Sequence, residues 1–374
     1  MPFDPNQLAS PHVRTLAPYV PGKPLEELER EYGIRDSIKL ASNENPLGPG
    51  PLARAAIARA ATEIGQYPDG NGFALKQALA KQHACSMECI TLGNGSNDVL
   101  VMLAEAFLTT DTEAVYSEYA FAVYPIVVQA TGAVARVAKA LPNEAAMALG
   151  HDLDALAALV NARTRVVFIA NPNNPTGTWV EAPALRRFIA SLPATTLVVV
   201  DEAYIEYVED PSFPDSSRWF NEFPNLVVTR TFSKAYGLAG LRIGYALSQP
   251  TVAGLMNRVR QAFNVNTVAL AAARAALDDG EHLQRSIAVN REGMAQLERG
   301  LDRLVVQRLP SRGNFILIDC TRPAGPVYET MLRQGVIVRP VANYRLPNHL
   351  RLTIGTAEQN QRMLAALEQA LKST

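Results

Sequence analysis

Seven short runs rich in β-branched and aromatic residues constrain this chain most: ITLG, EAVYSE, ARVAKA, RVVFIA, TLVVVDEAY, LVVTRTFS and RIGYALS, all between residues 90 and 248. Helical or turn-rich stretches separate them. Strand–helix alternation of this kind predicts an α/β fold with a mostly parallel sheet covered on both faces. The ends of the chain follow other rules. The first 45 or so residues are Pro-rich and irregular apart from the amphipathic PLEELEREYG. GPLARAAIARAATEI and ALKQALAKQHA then read as helices, with Ala, Ile and Leu forming one face. After residue 250 an Ala-rich helical region leads to LVVQRLPSRGNFILIDC, which starts a smaller α+β unit ending in HLRLTIGTAEQNQRMLAALEQAL. The expected division is an N-terminal segment (1–45) joining the small domain, a large α/β domain (46–280) and a small C-terminal α+β domain (281–374).

Composition removes several function classes. A formal net charge of −1, with no Lys/Arg cluster, lacks the basic footprint of a nucleic-acid binder. The N-terminus has no signal-peptide core, and apolar runs such as TTLVVV are far short of a membrane span. Three cysteines (Cys85, Cys89, Cys320) fit free thiols in a reducing, cytoplasmic compartment. No pair with ligand spacing completes a metal site, and no HExxH occurs among the five scattered histidines. No GxxxxGK[ST] is present, which disfavours a nucleotide triphosphatase.

Four segments can carry chemistry. In CITLGNGSNDVLVMLAEAF a strand enters a Gly-containing turn and a helix starts near Asn97, offering free N–H groups and a positive dipole end to a phosphate. By itself such a turn is more often simply a tight βα connection. IANPNNPTGT places Asn174 in a prolyl-stiffened turn at a strand's carboxyl end, where ligands of open α/β sheets bind. In TLVVVDEAYIEY, Asp201 is either a helix N-cap or a carboxylate at the ligand edge that keeps a ring nitrogen protonated, with Tyr204 close behind. TRTFSKAYGLAGLRIGY sets Lys234 among small, apolar and aromatic residues. A phosphate clamp with Thr231, Ser233 and Arg242, or an amine kept for a carbonyl cofactor, are both open there.

Taken in order, these segments resemble the fold type I pyridoxal-phosphate (PLP) aminotransferases over nearly the whole chain. KLASNENPLGP, IGQYPDGNGFALKQALA, NPNNPTG, VDEAYIEY, RTFSKAYGLAGLRIGY and HLRLTIGT look like histidinol-phosphate aminotransferases within that group. The resemblance implies that Lys234 bonds the PLP aldehyde, Asp201 pairs with the pyridine nitrogen, and Asn174 and Tyr204 hydrogen-bond the ring's phenolic oxygen. It assigns Lys234, Asp201 and Tyr204 as the catalytic set. Ser96 and Asn97, with Thr231, Ser233 and Arg242, would hold the cofactor phosphate, and Tyr119 would stack on the ring. Tyr67 would reach the phosphate of the neighbouring subunit, making a homodimer part of the site. Arg351, Arg339, Asn45 and Tyr19 match substrate contacts. The substrates implied are glutamate/2-oxoglutarate and histidinol phosphate/imidazole-acetol phosphate, with an aromatic or broad-specificity aminotransferase as the alternative. One departure is the Gly-Ser-Asn-Asp turn, where an acidic residue more often follows the Ser; contacts made by backbone tolerate it.

Overall fold

A computed structural model describes residues 3–373. After a two-residue strand β1 (Ile38–Lys39), the seven expected runs become β2 (Ile90–Gly93), β3 (Glu113–Ser117), β4 (Val134–Ala138), β5 (Thr164–Ala170), β6 (Leu197–Asp201), β7 (Leu226–Thr231) and β8 (Gly244–Leu247). They form one sheet in the order β2-β8-β7-β6-β5-β3-β4. The β3–β4, β3–β5, β5–β6 and β6–β7 ladders are parallel. Only β8 runs against its neighbours, antiparallel to both β7 and β2. The central strands are buried along their length, as their unbroken apolar runs require. The edge strand β4 is largely exposed.

Side-chain alternation splits the core between the two faces. Val198, Val200, Leu226 and Val228 pack under the helices Phe73–His83, Ala182–Ser191 and Thr267–Ala276. Val199 and Val227 face the helices Ser96–Phe107, Val123–Thr131 and Pro250–Val259. The same parity puts Asp201, Thr229 and Thr231 on the second face and Glu202 and Arg230 on the first.

The Ala-rich region divides at Asp279, whose carboxylate caps the N–H of His282 and opens the 24-residue helix Gly280–Arg303. That helix is a strut. Ile287 near its start packs with Tyr204 and Phe315, whereas Leu297 and Leu301 enter a separate core. The second core underlies an antiparallel sheet of β9 (Gln307–Arg308), β10 (Phe315–Asp319), β12 (Arg339–Pro340) and β13 (His349–Thr353) in the order β12-β13-β10-β9. Strand β1 pairs in parallel with β11 (Val336–Ile337), so the N-terminal segment is tied to this C-terminal unit. From there residues 40–45 run to the large sheet's carboxyl edge.

Candidate active site

A cavity of about 390 Å³ opens at that edge, lined by residues from both sheets and from the N-terminal segment. Lys234 stands in it, on the loop between β7 and β8. Its Nζ donates to the Ser42 carbonyl at 3.1 Å and lies 5.7 Å from the centre of the Tyr204 ring. Part of the lysine is accessible through the cavity mouth, but protein surrounds the amine. Burial, reinforced by the positive charges of Arg351 and Arg242 and opposed by Glu44 and Asp201, brings its pKa down from 10.5 to about 7. A sizeable fraction of the amine is therefore neutral, and nucleophilic, near neutral pH.

Asp201 ends β6 with its carboxylate accepting from Thr229 Oγ1 and Tyr124 Oη, both at 3.0 Å. It caps no helix, because only a short 3-10 turn follows, at Ile205–Tyr207. Burial pushes its pKa up, against the pull of those two hydroxyls and of Lys234. Tyr204 Oη accepts from Asn43 Nδ2 at 2.9 Å and from Asn174 Nδ2 at 3.2 Å. Burial raises its pKa to about 12, so it stays protonated, and two incoming amide donors leave its own O–H to donate elsewhere. Arg351, on β13, donates to Asn174 Oδ1 and to the Ala41 carbonyl, each at 2.6 Å. It is buried, its Nε has no partner, and burial lowers its pKa from 12.5.

On the other side of the cavity a second pocket of donors is assembled by close backbone approach. Gly95 (φ +84°) precedes the helix Ser96–Phe107, and a Cβ there would lie 2.6 Å from Arg242 Nη2. A Cβ on Gly244 would strike the backbone N of Ser96. Arg242 Nη1 donates to the Ala239 carbonyl at 3.0 Å and sits 3.4 Å from Ser233 Oγ, while Thr231 Oγ1 accepts from the Ser233 N–H at 3.1 Å. Ser96, Asn97, Thr231, Ser233 and Arg242 all line the cavity.

The expected residues do not all converge. Tyr119 does not line the cavity; its side chain packs beside Leu149, Tyr344 and Leu346, and Phe121 presents an aromatic ring to the cavity instead. Asn45 is likewise displaced from the substrate role expected for it. Its amide is spent on the Ala235 carbonyl, Ser286 Oγ and the Leu47 N–H, which fastens the N-terminal segment to the lysine loop. Asn43 takes the place facing the cavity. Tyr19 does line it, and its ring lies 5.8 Å from the guanidinium of Arg339, which stands directly across the β12–β13 ladder from Arg351. Tyr67 is 82% exposed and stacks on Phe263, with ring centres 4.7 Å apart, away from this chain's cavity. Tyr124 and Asn43 were missed from sequence. Tyr124 lies in SEYAFAVYP, five residues after Tyr119, and the one available signal is a tyrosine at the start of an apolar helix, whose hydroxyl must find a partner when buried.

Among the described residues, Asp201 has no cation and neither Arg242 nor Arg351 has a carboxylate within ion-pair distance. One uncompensated acid and two uncompensated guanidiniums around a reactive amine can take one cationic and two anionic groups, as a cofactor with a protonated ring and a phosphate would supply together with an anionic substrate. The residues fit pyridoxal phosphate. Fold and site together define an aminotransferase of fold type I.

Comparison with known proteins agrees. Residues 35–367 match the model of the family "Aminotransferase class I and II", and the chain belongs to that family. Histidinol-phosphate aminotransferase 2 of Pseudomonas aeruginosa is 57% identical over 366 residues, covering 97% of this chain and 98% of its own. Histidinol-phosphate aminotransferase 1 of Nitrosococcus oceani is 53% identical, covering 98% and 97%. The crystal structure of histidinol-phosphate aminotransferase from Sinorhizobium meliloti in complex with pyridoxal-5'-phosphate superposes with a TM-score of 0.88 at 30% identity, covering 98% of each chain.

Proposed function

We propose that this protein is a pyridoxal-phosphate-dependent aminotransferase of histidine biosynthesis. It exchanges an amino group between glutamate/2-oxoglutarate and histidinol phosphate/imidazole-acetol phosphate. The observation that carries the reading is Arg351: a buried guanidinium without a carboxylate partner, held within the same hydrogen-bonded set as Asn174 and Tyr204. Relatives bearing the histidinol-phosphate name at 53–57% identity support the substrate.

When bound, the cofactor supplies an aldehyde that takes up the amine and a ring that accommodates the electron pair released at the substrate carbon. The protein's residues do the rest. Arg242, Thr231, Ser233 and the N–H groups of Ser96 and Asn97 bind the phosphate. Asp201, held by Thr229 and Tyr124, keeps the ring nitrogen protonated. Tyr204 and Asn174 donate to the phenolic oxygen, and Phe121 covers the ring. Lys234 Nζ removes the proton from the substrate's α-carbon and delivers it one position along, which its depressed pKa suits. Arg351, with Tyr19 in the cavity lining and Arg339 behind the Tyr19 ring, takes a carboxylate in one half-reaction and a phosphate in the other; a planar fork fits both.

The working unit is a cytoplasmic homodimer in which Tyr67 of one subunit reaches the phosphate site of the other. The exposed Tyr67, with the nearby exposed Ile64, Phe73 and Phe263, supports this reading. No helix among the described residues is long and apolar enough to cross a membrane. Separate cores at the two ends of the strut helix support a division into 1–45, 46–280 and 281–374.

Steady-state kinetics with 2-oxoglutarate as acceptor test the assignment. Histidinol phosphate is expected to exceed phenylalanine in kcat/KM by about tenfold or more, since a dianionic phosphate pairs more strongly with Arg351 than the single carboxylate of phenylalanine does. A preference for phenylalanine would replace the substrate and keep the chemistry.

A further inference from the structure

Behind the cavity, on the opposite face of the sheet, lies a buried ion network that none of the reacting groups touches. Glu202 and Arg230 each follow a cavity-facing residue by one position, so strand alternation turns them to the rear. Arg230 Nε and Nη2 donate to Glu202 Oε2 at 3.0 and 2.7 Å. Nη2 also reaches Asp215 Oδ1 at 2.5 Å and Ser217 Oγ at 3.3 Å. Glu202 Oε1 accepts from the Ser216 N–H at 2.8 Å. Across the β7–β8 ladder Arg230 pairs with Tyr245, whose hydroxyl meets His83 Nε2 at 3.0 Å.

The side chains of Arg230 and Glu202 are 7% and 0% exposed. A pair this deep gains little stability over well-packed apolar residues, because both charges lose their water. Its location has another consequence. The Asp201–Thr229 rung of the β6–β7 ladder carries the cavity's carboxylate and one of its two holders, and the N–H of Glu202 donates to the Thr229 carbonyl at 2.9 Å. Thr231 follows Arg230 directly, and Gly244, beside Tyr245, is the residue against which Ser96 packs. One guanidinium therefore spans the ends of the three strands that carry the carboxylate, the lysine loop and the phosphate pocket.

We propose that Arg230 is a positioning residue for the aminotransferase reaction, acting from the rear face through Glu202, Asp215 and Tyr245. The inference rests on the function proposed above. The rigid fork fixes directions to several partners at once, which a lysine ammonium on a flexible stem does not. Reacting groups displaced by about 1 Å lose on the order of 10²-fold in rate, so holding strand ends in register matters to chemistry more than to folding.

The test is Arg230→Lys in the holoenzyme, which keeps the buried charge and removes the fork. We expect kcat to fall about 10- to 100-fold. KM for glutamate should stay within about threefold, as for an interaction felt in the transition state. Bound cofactor should remain stoichiometric while its visible circular dichroism, which reports how the ring is held, changes. Asp215→Asn should shift kcat and dichroism in the same direction by less. Unchanged kcat and dichroism in Arg230→Lys overturn the proposal, as does a loss traced wholly to weaker cofactor binding or a raised KM. Should Arg230→Lys not fold, the Asp215→Asn/Ser217→Ala double variant decides alone: a parallel decline supports the role and wild-type values overturn it. A wild-type protein without a visible band that glutamate bleaches overturns the aminotransferase reading and this proposal with it. That failure is distinguishable because it appears before any substitution.

Discussion

Replacing Lys234 by Met should abolish turnover and yet stabilise the cofactor-free protein, by an amount that shrinks as pH rises. The folded pKa is about 7 against an ordinary 10.5. Below pH 7 the lysine is charged in both states, and the folded state carries the whole penalty, about 5 kcal/mol as an upper bound because the cavity admits water. Between 7 and 10.5 the folded amine is neutral while the unfolded one still binds a proton, so stability rises with pH through that window. From about pH 6 to about pH 8 the penalty falls by about 1.4 kcal/mol. Losing the bond from Nζ to the Ser42 carbonyl offsets part of the gain, by about 1–3 kcal/mol, but nearly equally at both pH values. The pH-dependent difference is thus the quantity to measure, since titrating groups remote from Lys234 cancel between the two proteins. Urea unfolding of the stripped enzymes, followed by far-UV circular dichroism, measures it. A stability difference that stays constant, or that widens toward alkaline pH, would refute the depressed lysine and with it the account of how the amine is kept reactive.

Three further outcomes follow from the geometry. Asp201→Asn should lower kcat on the order of 10²-fold, as loss of one preorganised charge partner does, with cofactor still bound; stopped-flow decay of the visible band with glutamate measures it. Gly95→Ala places a methyl 2.6 Å from Arg242 Nη2 at a φ of +84°, so equilibrium dialysis should show cofactor affinity reduced by tenfold or more, the strained backbone alone being about 1–3 kcal/mol. Tyr67→Ala and Lys234→Ala should each be nearly inactive alone, whereas refolding them as an equal mixture should restore about a quarter of wild-type activity, because half of the dimers then hold one intact site. No recovery would contradict a shared site.

What was legible in the sequence was mostly local. An unbroken valine run ending in Asp201 fixes a buried parallel strand and its ligand edge together. The alternation in LVVTRT is enough to set Thr229 and Thr231 on one face and Arg230 on the other. Choices between near neighbours were not legible. Asn43 and Asn45 share the segment ASNENP, and what separates them is a left-handed turn at Asn43 (φ +57°) and its pairing with Thr353 from the far end of the chain. Similarly, SEYAFAVYP offers three aromatic rings. The start of the helix at Val123 decides that Phe121 faces the cavity and that Tyr124 turns inward to Asp201. Contacts across hundreds of residues, or a helix phase set by packing, leave no periodicity to read.

The reversed strand β8 explains why so short a segment can serve both ends of the cofactor. After β7 the chain leaves the sheet at its carboxyl edge, where ligands of parallel sheets bind. A right-handed crossover would then carry it to the amino edge before the next strand began. Residues following Lys234 would be taken away from the cavity. Because β8 is antiparallel, it begins at the edge where β7 ends. Thr231, Ser233 and Lys234 on the way out and Arg242 and Gly244 on the way in therefore meet in one loop, against the N-terminus of the helix Ser96–Phe107. The spacing from Lys234 to Arg242 is then the length of that turn, and inserting residues into it should separate the amine from the phosphate pocket without disturbing either strand.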